Sequence, residues 1–153
     1  MLRKLILSAM LLWSTASFGQ WKYDQVVDAT TGAYKIAYVR DSEKSTAFLK
    51  MELYESSLVL YLQDSYICGQ EVYVSAIFVT PIYKKEVVFF GRVSENGEVM
   101  FLEKNLKAAF FRDLFKQSTQ VVMKLHTNEC AEDVYYQFFM SGSTAAYNFM
   151  IQN

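Results

Sequence analysis

Apolar and polar residues alternate along most of this chain. From Ala47 to Tyr54, Leu49, Met51 and Leu53 share one side while Lys50 and Glu52 take the other. That period of two is the signature of a half-buried strand. Gln120–His126 repeats it, with Val121, Met123 and Leu125 directed inward and Gln120, Lys124 and His126 outward. Further strands are read at Ala33–Arg40, Leu58–Gln63, Val72–Val79, Val87–Val93, Glu98–Glu103 and Val134–Met140, with a weaker one at Trp21–Val27. Short turn segments separate them: Asp28-Ala29-Thr30-Thr31-Gly32, Glu55-Ser56-Ser57, and Glu95-Asn96-Gly97, whose Asn-Gly pair is a strong hairpin signal. Pro81 ends the strand before it. Connections this short favour antiparallel pairing.

One stretch changes period. From Asn105 to Gln117, Leu106, Phe110 and Leu114 recur four residues apart, and Phe111 and Phe115 widen the stripe. This predicts an amphipathic helix of about three turns with Asn105 as its N-cap. A short C-terminal helix is expected from Ser143 towards Met150. The fold class is therefore mainly β (α+β): an antiparallel β-sandwich or barrel-like sheet with one inserted amphipathic helix and a short C-terminal helix.

The first residues read differently. Met1-Leu2-Arg3-Lys4 is basic, Leu5–Trp13 is apolar apart from Ser8, and small residues at Ser17 and Gly19 suit a signal peptidase. The expectation is a signal peptide over residues 1–19 and one globular β-rich domain over 20–153, exported to the periplasm or beyond. The apolar run is shorter than the roughly 20 residues a membrane span needs, and the mature chain offers no transmembrane segment. Removing 19 of 153 residues leaves 134, a one-domain length. Arg3 and Lys4 leave too, so 15 basic residues become 13 against 16 acidic ones. A mixed, slightly acidic surface excludes the clustered positive charge that nucleic acids require. Cys68 and Cys130 are the two cysteines, and export makes a disulfide between them the expectation.

Catalytic chemistry finds little support. His126 is the single histidine, placed outward at a strand end near Glu129. No nucleophile elbow or phosphate-binding glycine loop is present. One histidine and two distant cysteines offer no zinc ligand set, and no metal or other cofactor is expected. Asp28–Gly32 contributes one carboxylate where calcium takes six or more oxygens. Glu52 with Glu55, or Asp41 with Glu43, are the carboxylate pairs a small hydrolase would need.

Aromatic residues carry the functional signal. With Val134, Tyr136, Phe138 and Met140 inward, Tyr135 and Phe139 emerge on the other face. Phe90, Tyr61 and Tyr73 are outward candidates on their own strands. Tyr135, Phe139, Tyr61, Tyr73 and Phe90 thus form a candidate partner surface, since aromatic side chains are enriched at interface cores. Two arrangements compete with it: the Asn105–Gln117 helix covers that outer face, or the strands are central and buried on both sides.

The C-terminal third adds a resemblance. Ala109-Phe110-Phe111-Arg112-Asp113-Leu114-Phe115-Lys116 leads into Val121–His126, then Tyr136-Gln137-Phe138-Phe139-Met140-Ser141-Gly142-Ser143-Thr144-Ala145-Ala146. This order resembles small exported β-rich proteins of Gram-negative bacteria, namely the type VI secretion-associated and invasion-associated locus B families. The resemblance implies a non-enzymatic accessory domain without a defined catalytic site; the partner expected for such a module is another envelope or secreted protein. A second likeness, to periplasmic lysozyme inhibitors of β-barrel type, rests on Ser141-Gly142 followed by Tyr147. It implies an inhibitor or immunity protein against a cell-wall hydrolase.

Overall fold

The structure is a computed structural model that describes residues 20–30, 32–54, 57–101 and 108–152. The segment read as a signal peptide, Glu55-Ser56, and the expected helix positions Asn105 and Leu106 lie outside the described residues. So do the side chains of Phe110 and Phe111.

Among the described residues nine strands and two helices follow in chain order. They are β1 (Lys22–Asp28), β2 (Gly32–Arg40), β3 (Ala47–Tyr54), β4 (Ser57–Asp64), β5 (Glu71–Val79), β6 (Lys84–Arg92), β7 (Glu98–Phe101), α1 (Ala108–Gln117), β8 (Gln120–His126), β9 (Val134–Phe139) and α2 (Ser143–Ile151). All pairing is antiparallel, as the short turns require. Five strands form one sheet in the order β1-β2-β3-β4-β7, and four form a second in the order β6-β5-β8-β9. Among the described residues neither sheet closes into a barrel, which settles the fold as a sandwich.

The alternation explains the core. Ala37, Val39, Leu49, Met51, Leu60, Leu62 and Val99 line the inner face of the five-stranded sheet. They meet Val72, Val74, Phe78, Met123, Leu125, Tyr136 and Phe138 from the other. Leu114 and Phe115 of α1 are fully buried, and the Phe115 ring meets Trp21 edge-on at 5.6 Å. Helix α2 packs on β2, with Phe149 against Tyr23 at 4.8 Å. Lys35 reaches from β2 to the carbonyls of Phe149 and Gln152. A cation there satisfies orphan carbonyls at the helix C-terminus and complements the helix dipole.

Two polar devices hold the sheets in place. Tyr136 on β9 donates its hydroxyl to Asp64 at the end of β4, at 2.9 Å. Burial first, then the facing Asp64 carboxylate, push the Tyr136 phenol well above the usual tyrosine range. The second device is the disulfide Cys68–Cys130, with a Cα–Cα distance of 6.3 Å, which ties the β4–β5 connection to the β8–β9 connection. Beside it Gly69 has φ +91°, and a Cβ there would lie 2.4 Å from Thr127 Oγ1. Gly97 of the expected Asn-Gly turn has φ +73° and packs on the Asp64 backbone. The turn closes with Ser94 N–H donating to Glu98 O at 2.9 Å.

Candidate functional site

The register of the four-stranded sheet fixes what its outer face presents. Phe90 of β6, Tyr73 of β5 and His126 of β8 form one cross-strand row. Val88, Ser75, Lys124 and Tyr135 form the next. Gln120 and Phe139 continue the face towards the opposite end. Tyr73 is 48 %, Phe90 52 %, Tyr135 56 %, Phe139 38 % and Val88 61 % exposed. The Tyr73 and Phe90 rings lean together with centroids 4.9 Å apart. Helix α1 turns its buried side chains towards Trp21 and α2, so Tyr135 and Phe139 stay open to solvent.

Tyr61 corrects the expectation made for it. It points outward on β4, yet only 6 % of it is exposed. Its register neighbour Lys50 lies over the ring, 5.1 Å from the centroid. Glu52, at 3.0 Å, and Glu98 hold Lys50 there. Burial lowers the Lys50 pKa, but the hydrogen bonds that Lys50 donates to Glu98 and Glu52 outweigh it, and the net shift is upward. Alternation gave the direction of Tyr61 correctly and missed the cation that covers it.

Two basic side chains of the aromatic face share one carboxylate. His126 Nδ1 is 2.6 Å from Asp133 Oδ1, and Lys124 Nζ is 3.0 Å from Asp133 Oδ2. Hydrogen bonds from His126 and Lys124 hold the Asp133 carboxyl below its usual range. Sequence proximity had placed His126 near Glu129. That carboxylate instead accepts the Gln70 N–H at 3.3 Å, because the β8–β9 connection folds Asp133 back beside β8. Arg92 pairs with Glu71 at 3.2 Å.

One member of each carboxylate pair takes a structural role. Asp41 is buried and accepts the N–H groups of Glu43, Lys44 and Gln137. Glu52 serves Lys50, and Glu55 lies outside the described residues. An open cleft of about 480 Å³ lies near the disulfide, with Glu71, Glu95, Glu129 and Arg92 among its lining. Two of its three carboxylates are already engaged by Arg92 and Gln70. Among the described residues no group of three His, Cys, Asp or Glu side chains is placed to hold a metal ion. None of the described helices is long and apolar enough to cross a membrane.

The inhibitor-like residues do not form a protruding loop. Gly142, with φ 88°, is the N-cap of α2, and Tyr147 lies on that helix beneath Lys116, whose Nζ is 4.3 Å from the ring centroid. The exposed tip that sequence reasoning passed over is the β5–β6 turn. Thr80 is buried and locks it, donating its hydroxyl to Tyr83 O and accepting from Ile82 and Tyr83 N–H. Ile82 protrudes from it, 91 % exposed. The apolar Pro81-Ile82-Tyr83 run was its available signal.

No family model, curated protein or solved structure matches this chain.

Proposed function

We propose that this chain is a non-catalytic exported module that binds another envelope or secreted protein through the outer face of its four-stranded sheet. The observation that carries the reading is the gathering of Tyr73, Val88, Phe90, Tyr135 and Phe139 on one exposed face. Solvent-exposed aromatic clusters of this kind mark interaction sites. The partner is read as a protein because ion pairs of opposite sign border the rings, Glu71–Arg92 and Lys124–Asp133. An aromatic centre within a balanced polar rim matches protein interfaces, whereas an anionic polymer would call for unpaired positive charge. Export supplies the compartment in which Cys68–Cys130 is stable.

The test is the double variant Tyr135→Ser, Phe139→Ser. Melting should change little, while capture of the partner from envelope extract should be lost. Unchanged capture with normal melting would mean that this face binds nothing.

A second reading, insertion into the cleft of a cell-wall hydrolase, is favoured by one observation. The Thr80-locked turn presents Ile82 at a rigid apex. Ile82→Asp should then abolish inhibition of that hydrolase and leave capture through the aromatic face intact.

A further inference from the structure

The four-stranded sheet has two edges, and the chain treats them differently. At the β9 edge the β2–β3 connection occupies the outward backbone groups. Asp41 Oδ2 accepts Gln137 N–H at 2.6 Å, Ser42 N–H donates to Gln137 O at 2.9 Å, and Lys44 Nζ donates to Tyr135 O at 2.6 Å. Covering an edge in this way prevents strand addition.

Among the described residues the β6 edge has no such cover. Thr80 N–H donates to Tyr83 O at 2.9 Å at one end of the β5–β6 pair, and Val93 N–H donates to Gln70 O at 2.8 Å at the other. In an antiparallel ladder residues alternate between facing the partner strand and facing away. These two bonds therefore fix the alternation: Lys85, Val87 and Phe89 face β5, and Lys84, Glu86, Val88 and Phe90 turn their N–H and C=O groups away from it. Among the described residues no strand pairs with that row; β7 approaches the Arg92 end of β6, where Val93 bridges Val99. The side chains of the same four residues lie on the outer face, so the open backbone row borders the aromatic patch.

We propose that β6 accepts an extended strand from the partner protein, pairing antiparallel along Lys84–Phe90. The inference names the binding mode of the docking read above and rests on that reading only for the partner being a protein. A row of alternate donors and acceptors is matched by another extended backbone. The side chains set the preference: an acidic residue opposite Lys84, a basic one opposite Glu86, an aliphatic one opposite Val88 and an aromatic one opposite Phe90.

The probe is a capped synthetic heptapeptide with aromatic, Ile, Lys and Glu at alternate positions, Thr between them, and a copy N-methylated at the alternate amides. Residue-resolved amide exchange of the full domain is the readout. In the free protein the Glu86, Val88 and Phe90 amides should exchange quickly and those of Val87 and Phe89 slowly. Millimolar peptide should slow the first set by about tenfold or more, and the methylated copy should not. Val88→Pro removes an outward N–H without touching the β5 ladder, a place where proline is tolerated. It should abolish that protection and leave Val87 and Phe89 slow. Equal protection by both peptides, no protection by either, or peptide protection that survives in Val88→Pro would each overturn the proposal. So would slow even-numbered amides in the free protein, which a dimer through this edge would also produce. Peptide protection in Tyr135→Ser, Phe139→Ser that has kept its partner capture would support the edge while contradicting the aromatic-face reading. Lost capture in that variant, with no peptide protection in the wild type, would do the reverse.

Discussion

Tyr61 and Tyr73 each point outward from an interior strand, one in each sheet, and their surroundings part company from there. Tyr61 has Lys50 as its neighbour, and Lys50 is fixed over the ring by Glu52 and Glu98. Tyr73 has Phe90 and His126 as neighbours, and Asp133 draws both His126 and Lys124 to itself. The position of the counter-charge decides the difference. Where carboxylates flank the lysine across the sheet, the cation lies over the aromatic ring and the face is closed. Where the carboxylate sits on the connection beyond the strand end, the rings stay open to solvent. Tyr61 is thus packed away in the five-stranded sheet, and the rings of the four-stranded sheet stay open to solvent.

The largest effect expected from this contrast is at Tyr61. Tyr61→Ala should destabilise the domain by about 3–5 kcal/mol, as aromatic truncations in cores do. Chemical denaturation checks it, and a loss under about 1 kcal/mol would place Tyr61 with the exposed rings.

Next is the bridge anchoring the end of the four-stranded sheet that carries Tyr73 and Phe90. Cys130→Ser should lower stability by about 2–4 kcal/mol. The expectation holds if the denaturation midpoint falls and one thiol titrates in the variant, with none in the denatured, unreduced parent.

Tyr136→Phe sharpens the comparison by loosening the tie between the sheets. Losing the hydroxyl that Asp64 accepts should cost about 1–3 kcal/mol. The pH dependence has a definite sign. The folded-state pKa of Tyr136 is raised, so its contribution is fully present below the unfolded value of about 10 and is lost as pH climbs through the folded value. Wild type should therefore lose stability above about pH 10 more steeply than Tyr136→Phe. Parallel curves from urea titrations at pH 8 to 11 would contradict this.

Smallest of all is the effect on folding of Tyr135→Ser with Phe139→Ser. Each exposed ring should change stability by no more than about 0.5 kcal/mol. A collapse in melting temperature would show that these rings are core.

Much of the architecture was legible in the chain. Period-two alternation located nine strands, and β3 and β8 begin and end where the pattern does, at Ala47–Tyr54 and Gln120–His126. Leu114 and Phe115 showed which side of α1 is buried. The pairing of Cys68 with Cys130 followed from compartment and count. Four of the five candidate surface aromatics are exposed, because alternation alone sets the side of a sheet a residue faces. What covers that side depends on residues remote in sequence. Lys50 and Glu98 meet through the β3–β4–β7 register, which no local pattern encodes. The same holds for Asp41 capping the edge at Gln137.

The most direct measurement is photo-crosslinking in cells that export the protein. A benzophenone amino acid replaces Phe90 in one strain, Tyr135 in a second, and the exposed Gln25 of β1 in a third. The account predicts adducts to one and the same protein from the Phe90 and Tyr135 positions and none from Gln25. Folded, exported protein that gives no adduct at Phe90 or Tyr135, or gives the same adduct at Gln25, would contradict it.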